Sequence, residues 1–166
     1  MPDLLHIAID SREQAPWHFP PDKAVVSRRT LPTGDYALVL DDETDTGFAV
    51  ERKSLDDFVG TISTGAERFA REIERMDGWP CRVVVVEGQD ADIVLHRYNH
   101  PAVSPAFVTA EIVRLAWRGV HVYLAADAAR AAQVAWRFLM ERQLQLTDPF
   151  YGLEEGAYRE GNSGSR

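Results

Sequence analysis

A chain of 166 residues is long enough for one domain with a hydrophobic core and too short for two comfortable domains. Its 45% hydrophobic and 27% charged fractions are typical of a globular protein, and no apolar run approaches the roughly 18–20 residues of a membrane span, so we expect no membrane partner. The net charge of -8 counts against a nucleic-acid partner. The single cysteine excludes an internal disulfide framework, and residues 1–9 lack a basic start and are interrupted by Asp3 and His6, so we expect an intracellular protein without a signal peptide.

The first third of the chain predicts strands joined by turns. An apolar run over 4–10 ends on Asp10, which indicates a buried strand that carries this acid to its rim. Three prolines exclude a regular element over 11–22. Further strands are predicted over 25–31, 36–40 and 48–53, with residues 41–47 as the polar tip of a hairpin. We therefore expect a β-meander.

From Ser54 onward the apolar spacing becomes helical. Ser54 is followed three residues later by Asp57, a pair that is typical of a helix start. Further helices are predicted after Gly65, from Ser104 to Gly119 and from Asp127 to about Gln143, and strands over 83–86 and 120–124, whereas 88–101 shows no regular pattern. Because helices separate the later strands, we predict an α/β fold with a mixed β-sheet flanked by helices on both faces.

The domain limits follow from where the apolar pattern ends. The pattern is lost from about Gly152, and residues 161–165 contain only glycine, asparagine and serine. We therefore expect a single domain over residues 1–146, followed by a C-terminal tail over 147–166 that is partly disordered.

Two carboxylates and a lysine on the predicted hairpin carry the chemistry. In an extended chain alternate side chains share a side, so Glu51 and Lys53 project together while Arg52 points away. Asp35 begins the partner strand, which brings both carboxylates within reach of one ion. A hard cation such as Mg²⁺ prefers oxygen ligands, and it activates water and neutralises charge on an attacked phosphate. Lys53 would stabilise the developing phosphate charge.

The distribution of charge weakens the argument against nucleic acid. Many acids lie over 41–45 and 154–160, both of which read as exposed segments. Asp10, Arg12 and Glu13 are expected to line the rim of the same centre, with Arg12 as a phosphate clamp. The basic residues near the candidate centre are Arg12, Arg28, Arg29, Arg52, Lys53, Arg68 and Arg71.

These residues together resemble the signature of a known family. Gly34-Asp35 followed by Glu51-Arg52-Lys53-Ser54-Leu55-Asp56 is similar to the G-D…E-R-K-x-x-x-D signature of the XPF/Mus-type structure-specific endonucleases, a branch of the PD-(D/E)XK nucleases. The segment 9–13 resembles the opening strand motif of that family, and the likeness covers roughly residues 5–143. The resemblance implies a restriction-endonuclease-like fold, Mg²⁺- or Mn²⁺-dependent hydrolysis of DNA phosphodiesters in DNA repair or recombination, branched substrates and a homodimer.

The resemblance also implies roles for individual residues. The catalytic set carried over is Lys53, Asp35, Glu51, Arg12 and Asp10. The metal is expected at Asp35, at Glu51 and at the backbone carbonyl of Arg52, and Glu13 and Asp56 are further candidates. Family members usually carry a helix-hairpin-helix module after the nuclease domain, and nothing after Gln143 is long enough to be one.

Ordinary structural roles remain alternatives for several of these residues. An aspartate after glycine, as at Asp35, is common in turns. Asp10 and Arg12 could be a pair at a strand end, and Asp56 and Asp57 are acids of the kind that a helix dipole favours in the first turn.

Two other functions are compatible with the pattern. One is a catalytically idle DNA-binding or dimerisation module that partners an active nuclease subunit, and the other is a Holliday-junction resolvase or less selective nuclease of the same superfamily. We expect a homodimer built from the helices over 104–118 and 127–143. Trp117 and Trp136 on these helices are predicted to be packing residues, or interface residues where exposed.

Overall fold

In a computed structural model, residues 4–40 and 46–152 are described, and their strands join in one six-stranded sheet. The elements in chain order are β1 (Leu5–Asp10), β2 (Ala24–Arg29), β3 (Tyr36–Leu38), β4 (Ala49–Ser54), α1 (Leu55–Ile62), α2 (Ala66–Glu74), β5 (Arg82–Glu87), α3 (Asp90–Val94), α4 (Pro105–Trp117), β6 (Val120–Ala125) and α5 (Ala128–Thr147). The strand order across the sheet is β2-β1-β3-β4-β5-β6.

The sheet is mixed, as predicted, but the expected β-meander is wrong. β1 pairs in parallel with β2 and antiparallel with β3, so β1 lies between them. The physical reason is the connection over 11–23, which is long and buries Trp17 and Phe19 against the sheet. It can therefore return the chain to the starting edge, as a parallel pair requires. β3 and β4 form the predicted antiparallel hairpin, and β4, β5 and β6 are parallel.

Helices cover both faces of the sheet, which confirms the predicted architecture. The alternating valines of β5 show the two layers, since Val83 and Val85 face α5 while Val84 and Val86 face the layer of α1, α2 and α4. Ala131, Ala135 and Leu139 seat α5 on its face with small or branched side chains that are fully buried. Burial on both faces explains the uninterrupted apolar run of β5.

Polar caps fix the helix starts where the sequence places them. The hydroxyl of Ser54 accepts a hydrogen bond from the Asp57 N–H at 3.0 Å, and Ser104 and Asp127 cap α4 and α5 in the same way. The end of α5 was less well predicted, because the helix continues four residues past Gln143. Leucine and glutamine have good helix propensity there, and no glycine stops the helix before Thr147.

Three other sequence expectations need correction. The stretch over 88–101 contains the helix α3, which has only five residues and is too short to show periodicity. β3 ends at Leu38, before the predicted end at residue 40. Trp117 does not pack in the core, because 88% of its surface is exposed.

Parts of two predictions lie outside the described residues. They are the hairpin tip at 41–45 and the tail beyond residue 152. Within the part of the chain that the structure describes, none of the helices combines the length and hydrophobicity needed to cross a bilayer.

Gly34 is required at the turn into β3. Its φ is +78°, and a Cβ added there would lie 2.6 Å from the Cβ of Ala49. Gly34→Ala is therefore expected to lower the free energy of unfolding by about 2–5 kcal/mol, through left-handed strain and overlap together. Urea denaturation followed by circular dichroism measures this loss.

Gly78 provides the matched control. Its φ is +81°, but a Cβ there would meet nothing within 4 Å. Gly78→Ala should therefore cost only the strain, about 1–2 kcal/mol. Equal losses for the two variants would show that contact with Ala49 does not constrain the turn.

Candidate metal and phosphate centre

Three acids, Asp10, Asp35 and Glu51, lie in one row across neighbouring strands. The N–H of Asp10 donates to the carbonyl of Asp35 at 2.8 Å, and the N–H of Asp35 donates to the carbonyl of Val50 at 2.9 Å. Tyr36 and Val50 face α5, so the alternation of side chains directs Asp35 and Glu51 to the opposite face. The hairpin thus places Asp35 and Glu51 on one face, as the sequence predicted.

The pKa of Asp35 is raised by its surroundings. Burial and the neighbouring charges of Glu51 and Glu13 raise the pKa of Asp35 to about 7, although the Arg52 N–H and the Lys53 ammonium oppose the shift. The Arg52 N–H donates to Oδ2 of Asp35 at 2.8 Å. The neighbouring charges therefore leave Asp35 and Glu51 with an excess of negative charge.

Lys53 occupies the same face, two residues beyond Glu51. Its Nζ lies 2.9 Å from Oε1 of Glu51, and only 11% of the Lys53 side chain is exposed. The ammonium also lies 5.8 Å from the ring centroid of Phe69 on α2. A partly buried ammonium held by a carboxylate is a fixed point charge, which is what an electrostatic role at a phosphate requires.

Arg52 connects the two faces of the sheet. Its backbone N–H points toward Asp35. In a strand the N–H and C=O of one residue point to the same neighbour, so the Arg52 carbonyl also lies on the Asp35 side. The side chain takes the other face, where its guanidinium lies 2.8 Å from Glu87, 3.2 Å from Glu13 and 5.3 Å from the Trp17 ring. The predicted divergence of Arg52 from its neighbours is thus observed.

Glu87 is a residue that the sequence argument missed. Besides its ion pair with Arg52, its Oε1 accepts a 2.6 Å hydrogen bond from the Trp17 indole. Trp17 in turn stacks on Tyr36 at 4.5 Å. Because β4 and β5 are parallel and Ser54 pairs with Glu87, the acid lies at the same edge of the sheet as the signature. Its position as the acid that ends an apolar run was the available signal, as it was for Asp10.

Both carboxylate oxygens of Asp10 accept hydrogen bonds from neighbouring residues. Asp10 is 1% exposed, and its two oxygens accept from the Arg12 N–H, the Arg12 Nε and Nη2 groups and the Leu31 N–H at 2.7–2.9 Å. The hydrogen bonds from Arg12 hold the pKa of Asp10 well below its usual range. These are the contacts of an acid that orients Arg12, whose side chain is 71% exposed beside the acid row.

The two further candidate acids, Glu13 and Asp56, have other partners. Glu13 pairs with Arg52 and accepts from the Ala15 N–H at 3.1 Å, although its charge is felt at Asp35. Asp56 accepts from the backbone and side-chain N–H groups of Asn99 at 2.6 and 2.8 Å. It therefore anchors the loop before α4.

The signature spacing also corrects the expectation for Asp56. The signature has three residues between its lysine and its last acid, so after Lys53 that acid falls on Asp57, not on Asp56. Asp57 accepts from the Ser54 hydroxyl at 2.7 Å. The final acid of the motif thus helps to begin α1.

The donor set fits a hard divalent ion. In the described residues, no three or more histidine, cysteine or acidic side chains form a group that could hold a metal. Two carboxylates and a carbonyl, from Asp35, Glu51 and Arg52, nevertheless suit an ion that keeps several waters. The raised pKa of Asp35 supports this fit, because a divalent ion would neutralise the repulsion that raises it.

Comparisons with known proteins agree with this geometry. A family model described as ERCC4 domain matches residues 9–137. Among solved structures, XPF from Aeropyrum pernix is similar over 81% of this chain and 59% of that chain, at 24% identity and a TM-score of 0.59. XPF from Aeropyrum pernix in complex with DNA is similar over 86% of this chain and 66% of that chain, at 23% identity and a TM-score of 0.62.

These structural likenesses establish the fold, the restriction-endonuclease-like mixed sheet in one small domain. The chain spans less than two thirds of the length of either matched structure. A search of curated proteins finds no match.

The raised pKa of Asp35 predicts a pH dependence of stability. Between the ordinary pKa of 3.8 and about 7, the folded chain binds a proton that the unfolded chain has lost. Stability of the metal-free protein therefore falls as pH rises through this window. Asp35→Asn removes this titration, so in EDTA the variant should gain roughly 1–3 kcal/mol over the wild type between pH 4 and pH 8.

Urea unfolding at pH 4, 6 and 8 measures the difference. Asp77→Asn, at an acid whose side chain is 86% exposed, is the matched control and should follow the wild type. Parallel pH profiles for the wild type and Asp35→Asn would contradict the raised pKa of Asp35.

Proposed function

The chain belongs to the ERCC4 domain family and carries an XPF-type nuclease domain, and on this premise we propose that it is a metal-dependent endonuclease that hydrolyses phosphodiester bonds in branched DNA such as forks, flaps and junctions. The observation that carries the proposal is the placement of Asp35, Glu51 and Lys53 on one face of the β3–β4 hairpin, with Lys53 fixed 2.9 Å from Glu51. We propose an intracellular role in DNA repair or recombination, which membership of the ERCC4 domain family supports.

Mg²⁺ or Mn²⁺ is the proposed cofactor. Asp35, Glu51 and the carbonyl of Arg52 would hold it. When bound, such an ion supplies a Lewis acid that lowers the pKa of water and neutralises charge on the attacked phosphate.

The remaining side chains divide the work around the phosphate. Lys53 places a fixed positive charge where the transition state gains negative charge. Arg12 offers an exposed guanidinium that can donate two hydrogen bonds to phosphate oxygens. Asp10 positions Arg12 through three hydrogen bonds and is not itself assigned to the reaction. Glu13 and Glu87 form ion pairs with the Arg52 side chain. These contacts connect the loop over 11–23 to β4, the signature strand.

An idle DNA-binding module is the second candidate. A module that had lost catalysis would be expected to lose signature residues, and this chain retains them. Asp35, Glu51 and Lys53 also share one face, so the geometry favours activity. The resolvase alternative uses the same centre and differs only in the DNA structure selected.

We also propose a homodimer. Trp117 is 88% exposed and Val113, one turn before it on α4, is 51% exposed. Exposed aromatic residues of this kind are enriched at interfaces. The helices predicted to build the dimer together lie on opposite faces of the sheet, so the support comes from α4 rather than from the two helices as one surface.

The cleavage proposal predicts a sharp loss on removing one charge. Lys53→Met keeps the length of the side chain but removes the ammonium, and it should reduce the cleavage rate by about 10²–10³-fold. Asp35→Asn should have at least as large an effect. The measurement is cleavage of labelled forks, flaps, junctions and plain duplex with Mg²⁺ or Mn²⁺, and with EDTA as the metal-free control.

Asp77→Asn serves as the surface control and should cut like the wild type. Cleavage that survives both Lys53→Met and Asp35→Asn would remove the centre from the reaction. Tight binding of branched DNA without cleavage under any divalent ion would instead favour the idle module, and a preference for junctions over flaps would favour a resolvase.

The dimer proposal predicts a change in mass. Trp117→Ser should shift the dimer toward monomer at micromolar concentration, as light scattering would record, because it removes the largest exposed apolar group on α4. Leu95→Ser alters a side chain that is 56% exposed after α3 and should leave the mass unchanged. A wild-type chain that is monomeric at tens of micromolar would contradict the proposal.

A further inference from the structure

A large cavity lies on the sheet face opposite the acid centre, which consists of Asp35, Glu51 and Lys53. It occupies about 1010 Å³ between α5 and the loop over 11–23. This volume reaches the upper end of the range for ligand sites, about 300–1,000 Å³. We call it the α5 cavity, and the lining residues that matter here are Lys23, Tyr123, Arg130, Gln133, Trp136 and Arg137.

Three cations line the α5 cavity without an acidic partner. Within residues 4–40 and 46–152, no carboxylate lies within salt-bridge distance of Lys23, Arg130 or Arg137, whereas Arg114 on α4 is paired with Glu111. The guanidinium of Arg130 contacts the Tyr123 hydroxyl at 3.4 Å and the Gln133 amide oxygen at 3.3 Å. In a chain with a net charge of -8, this concentration of unpaired positive charge indicates an anionic ligand.

One aromatic ring, that of Trp136, lies beside two of these cations. Lys23 Nζ lies 5.8 Å and Arg137 Cζ 5.2 Å from the centroid of the Trp136 ring. The Trp136 indole donates to the Lys23 carbonyl at 3.3 Å, which fixes the ring against the loop. Tyr123 is 38% exposed at the other end of the cavity. The cavity therefore presents positive charge and an aromatic face together.

The spacing of the cations suits an extended polyanion. Arg130 and Arg137 are seven residues apart on α5, which places them on one side of the helix about 10 Å apart along its axis. One acid, Glu141, lines the far end, where it accepts from the Tyr151 hydroxyl. With Arg130 held at Tyr123 and Arg137 at Trp136, the two guanidinium groups can contact successive phosphates of a chain.

We propose that the α5 cavity binds the single-stranded arm of a branched DNA substrate. Lys23, Arg130 and Arg137 contact backbone phosphates, and a base stacks on Tyr123. Positive grooves with aromatic platforms are how proteins hold single strands, whose bases are free to stack, whereas duplex bases already stack on each other. The proposal rests on the proposed function only in naming DNA as the polyanion.

The α5 cavity also reaches the strand ends at which the acid centre lies. Ala15 lines it, and the Ala15 carbonyl accepts a hydrogen bond from the Arg52 guanidinium. Arg52 is the residue whose backbone faces Asp35 on the other side. A DNA strand that leaves the α5 cavity past Ala15 can therefore pass the ends of the β-strands and continue toward Asp35 and Glu51.

Fluorescence anisotropy with a labelled oligothymidylate tests the proposal. The double variant Arg130→Gln, Arg137→Gln removes two charges with little change in size, and the measurement is made in EDTA so that catalysis plays no part. The affinity should fall at least tenfold near 0.1 M salt, and the slope of log K against log salt concentration should lessen by about 1.4, since each phosphate contact to a single strand contributes about 0.7.

Arg97→Gln, Arg114→Gln is the matched control, because both arginines are exposed and lie on other surfaces in ion pairs with acids. It should change the affinity less than twofold. All four positions are on the surface, so unfolding midpoints should not change. Unchanged affinity or an unchanged salt slope in the Arg130, Arg137 variant would overturn the proposal. A shift of that variant from dimer to monomer would also overturn it, because the cavity would then be an interface between copies.

The same variants separate this proposal from the proposed function. The Arg130→Gln, Arg137→Gln variant leaves Asp35, Glu51 and Lys53 unchanged, and Asp35→Asn should still bind the oligonucleotide. If Asp35→Asn and Lys53→Met cut normally while the double variant loses binding, the assigned catalytic centre fails and the cavity stands. If the double variant binds normally while Lys53→Met is inactive, the cavity fails and the catalytic centre stands.

Discussion

Repulsion between two carboxylates is the constraint on which the rest of the structure depends. Asp35 and Glu51 lie on the two arms of one hairpin, and burial with the charge of Glu51 raises the pKa of Asp35 to about 7. The fold partly offsets this charge with the Arg52 N–H on Asp35 and the Lys53 ammonium on Glu51, at 2.8 and 2.9 Å. What remains is negative charge that a divalent ion would neutralise, so the centre gives up stability for a binding site.

The two faces of the sheet meet at Arg52. Its backbone serves the acid centre, while its side chain holds Glu87, Glu13 and the carbonyl of Ala15 on the other face. The loop over 11–23 is thereby fixed to the signature strand, with Trp17 stacked on Tyr36 beneath it. One residue thus joins the proposed metal site to the wall of the α5 cavity, and a chain with a net charge of -8 can meet DNA through two local surfaces rather than through its overall charge.

The sequence was most informative where chemistry and local periodicity coincide. The hairpin, the shared face of Glu51 and Lys53, and the caps at Ser54 and Asp127 follow from alternation, helical spacing and short-range hydrogen bonds. Long-range geometry could not be predicted in this way. The parallel pairing of β1 with β2 depends on how the 11–23 loop buries two aromatic rings. Glu87 is 35 residues from Arg52 in sequence, and only the pairing of β5 with β4 brings the two side chains together. The role of Asp56 depends on Asn99, a distant loop residue that no local pattern connects to it.

Calorimetric titration of Mn²⁺ into the protein, repeated in buffers of different ionisation enthalpy, tests the central claim most directly, because it counts the protons released as the ion binds. If Asp35 and Glu51 form the metal site and Asp35 titrates near pH 7, one ion should release close to one proton at pH 6 and almost none at pH 8.5, and Asp35→Asn should abolish the release. Ion binding that releases no proton at pH 6, or that persists unchanged in Asp35→Asn, would contradict the account.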